Sequence, residues 1–162
     1  MTIGWIHRST EERRIEIANK EVKIAIIGFG YIGGSIGIKL ASEGFDVIGV
    51  DVNESLVKRI NDGDTPFEEP GLEDLHGIAK SNGKIHATTD FSEISDCHII
   101  LMVVGTPLDE NFNSDLTHLK SAVSSMAPHI SEGSLIMVKS TVPPGTTTEV
   151  IGPIIESCFE AT

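Results

Sequence analysis

The chain has 162 residues, 40% of them hydrophobic and 22% charged. That length buries one core, and that composition is ordinary for a globular domain. Twelve Lys and Arg face 24 Asp and Glu, a formal net charge of −12, which repels nucleic acid and anionic membranes and leaves a phosphate site to be built locally from main-chain N–H groups. The longest apolar runs, such as residues 99–104, are too short to cross a bilayer. Residues 1–21 lack the continuous apolar core of a signal peptide. Cys97 and Cys158 have neither CxxC nor metal spacing, which suits a reduced, cytoplasmic chain.

Residues 1–21 read as an extension. Ser9 and Glu12 have capping-box spacing for a short helix through Asn19 with Ile15 on one side, the alternative being a frayed or partner-dependent tail. Residues 22–27 are an apolar run ending in glycine, as a buried parallel strand should be. Residues 31–43 carry Ile32, Ile36 and Leu40 at spacing four, the apolar face of a helix that stops at Gly44. Residues 46–50 are the second strand, 55–61 a helix ended by Gly63, 65–71 a proline-rich loop, and 72–80 another helix before an Asn82-Gly83 turn. A third strand over 84–88 and a short helix over 91–95 lead to the strongest strand, 98–104. A helix within 115–128 shows Leu116, Leu119 and Val123 on one face. A strand over 135–139 precedes a final helix over 146–159, with a bend expected at Gly152-Pro153. Strands separated by helices predict an α/β fold of Rossmann type: a doubly wound parallel sheet, both faces covered, with ligands at the carboxyl ends of its strands.

Gly28-Phe29-Gly30-Tyr31-Ile32-Gly33 is a GxGxxG placed after a strand and at the opening of a helix. Gly28 permits the tight turn, Gly30 lets the backbone approach a pyrophosphate, and Gly33 lets helix and strand pack closely. The helix N-terminus offers N–H groups and partial positive charge to the phosphates. Asp51 ends the second strand, where a carboxylate accepts from both hydroxyls of the adenosine ribose and repels a 2′-phosphate. No arginine follows, since the next residues are Val52 and Asn53, so NAD is expected over NADP. Lys58 and Arg59 fall on a later helix as solvated residues. The Val104-Gly105-Thr106-Pro107 turn comes off the fourth strand at the same edge, with Thr106 as a donor to the cofactor. Thr141, in the turn after the fifth strand, falls toward the nicotinamide end. For these last two turns a plain strand exit and an ST-turn stay open on the residues alone.

Four segments in order carry a resemblance: the glycine turn, Pro66-Phe67-Glu68-Glu69-Pro70-Gly71-Leu72, Val104-Gly105-Thr106-Pro107 and Lys139-Ser140-Thr141-Val142-Pro143. From about Val22 onward the chain resembles the NAD-binding domain of the nucleotide-sugar 6-dehydrogenases, which include UDP-glucose, UDP-N-acetylglucosamine and UDP-N-acetylmannosamine dehydrogenases. Residues 106–110, Asp115-Leu116, 127–129 and 144–147 are closer to the N-acetylhexosamine branch than to UDP-glucose dehydrogenase. The resemblance implies oxidation of a UDP-sugar C6 hydroxyl to a carboxylate by two NAD+, through a thiohemiacetal and a thioester on a cysteine. It implies Asp51 at the adenosine ribose, Thr106 at the cofactor, and Thr141 as an auxiliary catalytic group where water and substrate meet. The position five after the ribose carboxylate, often basic in the family, is Leu56 here.

The family's Asn-Pro-Glu-Phe segment, its central Lys and Asn and its GGxC nucleophile are expected beyond Thr162. The chain therefore reads as a truncated one that binds NAD without turnover. The resemblance also implies that the full-length protein forms homo-oligomers through its central region. Cys97 and Cys158 lack flanking glycines and read as packing residues, and Glu149 as a solvated helix residue. His7, His76, His86, His98, His118 and His129 show no metal spacing, and Asp62, Asp64, Glu68 and Glu69 belong to a solvated loop. The alternatives are a stand-alone NAD-binding regulatory module and the cofactor domain of a 6-phosphogluconate- or prephenate-type dehydrogenase.

Overall fold

Five short apolar segments form the sheet in a computed structural model that describes residues 5–160. Residues 1–4 of the expected extension and 161–162 of the expected domain lie outside the described residues. The strands are β1 (Lys23–Ile27), β2 (Asp46–Val50), β3 (Ile85–Thr88), β4 (Ile99–Met102) and β5 (Leu135–Val138). All pairs are parallel, in the order β3-β2-β1-β4-β5, with Ile24 paired to Val47 on one side and to Ile99 on the other.

The alternation of side chains along β1 divides the core into two layers. Ile24 and Ile26 face Ile38, Val47 and Ile60, where α2 (Tyr31–Ser42), α3 (Glu54–Asp62) and α4 (Leu72–Ser81) lie. Ala25 and Ile27 face Ile100, Met102, Leu119 and Val123, under α5 (Thr117–Met126) and α6 (Gly152–Glu160). Both faces are covered, which is why the strands are apolar at nearly every position. Asn61 of α3 closes the outer side of β3, donating to Ala87 O at 2.7 Å and accepting from Ala87 N–H at 2.9 Å.

Three expectations need correction. The buried face of α2 is Gly33, Gly34, Gly37, Ile38 and Ala41, while Ile32 is 58% exposed and Ile36 and Leu40 only partly covered. The helix comes so close that the Phe29 ring fills the space between Gly37 and Gly49; a Cβ on either would lie 2.4 or 2.5 Å from that ring. Large apolar residues could not mark a contact made by missing side chains. Strand β4 runs Ile99–Met102, shorter than 98–104, while the main chain keeps its bonds to the β1 segment at both ends, His98 N–H donating to Lys23 O at 2.9 Å and Val103 N–H to Ile27 O at 2.8 Å. The final helix begins as a π-turn, Thr147–Ile151, and becomes α at Gly152, where the sequence places the bend.

Residues 5–18 form two short helical elements. A 3₁₀ turn, Trp5–His7, precedes α1 (Thr10–Ala18), whose capping box forms with Glu12 N–H on Ser9 Oγ at 3.2 Å and Ser9 N–H on Glu12 Oε2 at 2.7 Å. The bonds with Ser9 hold the Glu12 carboxyl below its ordinary range.

Candidate functional site

The carboxyl ends of β1, β2 and β4 converge on the glycine turn. At Gly28 the chain turns with φ +89°, and its N–H donates to Val50 O at 2.9 Å. A Cβ there would lie 2.7 Å from Val103 O, and one at Gly33 would lie 2.0 Å from Gly28 O. The fold itself therefore demands both glycines. Gly30 differs: it is the N-cap of α2 at φ −68°, and a Cβ there would meet nothing within 4 Å. Among the described residues nothing requires glycine at position 30, and the space over it is open.

Asp51 braces this turn. Its Oδ2 accepts from Phe29 N–H at 2.9 Å and its Oδ1 from Asn53 N–H at 3.0 Å, and each oxygen keeps a lone pair for a further donor. The Phe29 ring is fully buried and its N–H is taken, so Phe29 shapes the turn from beneath and its side chain stays out of the site. The first-turn N–H groups of α2 have no intrahelical acceptors, and they give an acidic protein a local patch of positive potential.

A cleft of ≈ 400 Å³ opens here, with Gly28, Gly30 and Asp51 on its floor and Val104 and Gly105 beside them. Val52, 83% exposed, and Phe91 border it. Its far wall is one face of α5: His118, Ser121, Ala122 and Ser125. Sequence patterning leaves His118 among the scattered histidines and gives no residue of this helix a role. The signal is nonetheless there, since a helix entered from the carboxyl end of β4 begins at that edge, and positions 118, 121, 122 and 125 share a face. Asp115 steers the entry, its Oδ1 accepting from Thr117 N–H at 2.9 Å, and the bonds from Thr117 hold its carboxyl below the ordinary range.

The two outer turns are tied together. Thr106 Oγ1 donates to Thr141 O at 2.7 Å, and Ser140 Oγ donates to Val104 O at 2.7 Å. Thr106 and Thr141 thus sit together beside the cleft, outside its lining. Tyr31 and Ile32 are exposed on the first turn of α2. Beside them the proline-rich loop clamps the helix: the Phe67 ring meets Tyr31 edge-on at 5.9 Å, and Ser35 Oγ donates to Glu69 Oε2 at 2.7 Å. Leu56 packs toward the core, and Lys58 and Arg59 pair with Asp62 and Asp64 on the surface.

Neither cysteine lines the cleft. Cys97 is buried just before β4, at the opposite end of that strand, and burial pushes its thiol up to about 12, far from a reactive thiolate. Cys158 lies on α6. Glu149 is exposed in the π-turn with its carboxylate over Gly145. His76 is fully buried, with Nδ1 2.8 Å from Thr65 Oγ1, and desolvation holds its pKa below the ordinary value.

Residues 22–162 match the family described as UDP-glucose/GDP-mannose dehydrogenase family, NAD binding domain. UDP-glucose 6-dehydrogenase of Haloferax volcanii is 38% identical over 139 residues, which is 83% of this chain and 32% of that protein. UDP-N-acetyl-D-mannosamine dehydrogenase of Methanococcus maripaludis is 40% identical over 143 residues, 86% of this chain and 33% of that protein. The crystal structure of GDP-mannose dehydrogenase from Pseudomonas aeruginosa superposes with a TM-score of 0.79 at 37% identity, covering 85% of this chain and 32% of that one. The chain thus spans about a third of the length of the relatives it matches. Their names include both UDP-sugars and GDP-mannose, a wider set than the UDP-sugars expected from the sequence. Among the described residues no helix is long and apolar enough to cross a membrane.

Proposed function

The chain belongs to the UDP-glucose/GDP-mannose dehydrogenase family as its NAD-binding domain, and from that premise we propose that its cleft holds NAD for the oxidation of a nucleotide-linked sugar at C6. The observation that carries this reading is Gly30, a glycine that the fold itself does not need, at the mouth of a helix and beside a carboxylate. NAD, when bound, supplies the hydride acceptor.

The residues of the chain divide the work by position. The main chain of Gly30, Tyr31, Ile32 and Gly33, which opens α2, cradles the pyrophosphate, and Gly28, its own N–H bonded to Val50 O, makes the tight turn that brings them to it. Asp51 accepts the adenosine-ribose hydroxyls with the lone pairs its loop bonds leave, and its charge disfavours a 2′-phosphate. Val52 and the α5 face flank the adenine. Val104, Gly105 and Thr106 line the way to the nicotinamide, and Thr141, joined to Thr106, stands as an auxiliary group toward the reacting end.

Residues 22–162 form the NAD-binding unit and 1–21 an extension. The substrate we assign is a UDP-N-acetylhexosamine rather than UDP-glucose, on residues 106–110, Asp115-Leu116, 127–129 and 144–147. With no cysteine lining the cleft, these 162 residues bind NAD without turnover.

Calorimetric titration tests the reading. NAD+ is expected to bind and NADP+ to bind more weakly, with Gly30→Ala losing affinity for both. Equal affinity for the two cofactors overturns the role of Asp51, and absence of NAD+ binding overturns the site. Turnover of any nucleotide sugar by the 162-residue chain overturns the statement on activity.

A further inference from the structure

At the opposite edge of the sheet, residues 5–18 are held by a polar cluster with His98 at its centre. His98 Nδ1 accepts from Lys23 N–H at 3.1 Å, so that nitrogen carries no proton and the neutral ring keeps its hydrogen on Nε2. The same ring meets Trp5 edge-on, centroids 6.5 Å apart at 71°. Trp5 is buried, and its indole N–H donates to Glu16 Oε2 at 2.8 Å. Glu16 also pairs with Arg8, and the Arg13 guanidinium lies 5.8 Å over the indole. Ile6 N–H donates to Gly133 O at 2.8 Å. Helix α1 buries none of its own residues, so its hold on the body runs through Trp5 and these few bonds.

We propose that His98 is an acid-released latch: its neutral ring docks the N-terminal segment on the amino edge of the sheet, and its protonated ring lets the segment go. A proton on Nδ1 would set two donors against each other at 3.1 Å, and a ring that turns away from the Lys23 amide also leaves the position in which it meets Trp5. The charged ring would also face Arg8 from the N-terminal segment and Lys23 from β1, with Asp96, from the turn before β4, as its counter-charge. Glu16 is committed to Trp5 and Arg8, and Arg13 adds positive charge on the far side of the indole.

Burial first, then Arg8 and Lys23, hold the His98 pKa below its ordinary value, against the pull of Asp96. The sign follows from linkage. Releasing the segment takes away the cover of Trp5 and the charge of Arg8, which raises the His98 pKa toward its ordinary value, so the released form takes up a proton before the docked form does. Docking is at full strength above the pKa of the released form. It weakens as pH falls through that pKa toward the lower one of the docked ring.

Trp5 is the only tryptophan of the chain, so its emission reports the latch directly. The readouts are the emission maximum and acrylamide quenching, because protonated imidazole lowers indole intensity by contact alone. Between pH 8 and pH 5 the expected result is a red shift and a severalfold rise in quenching. The Ile6 amide loses hydrogen-exchange protection while β1 and β4 keep theirs. His98→Asn places an amide oxygen near the position of Nδ1 without a titrating proton, and its Trp5 emission is expected to stay at the docked position across the range. An unchanged emission maximum in the wild type overturns the proposal, as does the same transition in His98→Asn or a shift that coincides with loss of protection throughout the sheet. Should His98→Asn fail to fold, wild-type exchange decides alone: release of residues 5–18 with an intact sheet supports the latch, and concerted loss overturns it.

Discussion

The two edges of the sheet are built by opposite means. At the carboxyl edge side chains are missing: Gly28 and Gly33 let main chain press on main chain, and Gly30 leaves space that no described residue enters. At the amino edge side chains are added: Trp5 and His98 bring two rings, one of them a side-chain acceptor for the Lys23 main-chain N–H, to the ends of β1 and β4. A glycine whose Cβ would strike the chain itself serves the fold. One whose Cβ would meet nothing, at a helix mouth that lines a cleft, is open to a ligand. Substitutions at the two kinds of position should separate stability from binding.

Gly33→Ala should have the largest effect. Its Cβ would stand 2.0 Å from Gly28 O, a main-chain atom that cannot move without opening the turn. The expected loss is about 3 kcal/mol, seen as a lower urea midpoint at unchanged slope. A wild-type midpoint would remove the distinction between the glycines. Asp51→Asn follows, at about 2 kcal/mol of NAD+ affinity, because bonds to a charged acceptor are the stronger kind. The amide can accept from only one of the two loop N–H groups that Asp51 now serves. The preference for NAD+ over NADP+ should shrink with it, and a preference left intact would move the discrimination elsewhere. Gly30→Ala is the sharpest case. Its stability should stay within about 0.5 kcal/mol of wild type, while NAD+ affinity falls about tenfold or more, that is about 1.4 kcal/mol. Equal loss in both assays would mean that position 30 serves the fold after all.

The same contrast explains what is legible in the sequence. The carboxyl edge is local: strand, turn and helix lie within residues 23–42, and the glycine spacing and Asp51 mark the site from the order of residues alone. The bounds of β2 follow from Val47, Ile48 and Val50, set between Gly44 and Asp51. The buried face of α2 is not legible, because small residues make its contact and the eye follows Ile32, Ile36 and Leu40. The α5 wall needs the further step of asking which turn of a helix faces the sheet edge. The amino edge is out of reach for a different reason. His98 and Lys23 are 75 positions apart, and Trp5 and His98 still farther. Neither residue has a periodic pattern that would announce the pairing.

Ser9→Ala should have the smallest effect and the most confined. Ser9 accepts from Glu12 N–H and gives its own N–H to the Glu12 carboxylate. Alanine removes the first bond and leaves the helix entry frayed, at about 1 kcal/mol. Because α1 buries none of its own residues, little of that loss can pass to the sheet. The unfolding midpoint of the body and the affinity for NAD+ should match wild type. The change should appear as faster hydrogen exchange in the first turn of α1 and easier quenching of Trp5, whose indole N–H bonds to Glu16 on that helix. A fall in NAD+ affinity on this substitution would couple the two edges through the sheet and break the comparison between them.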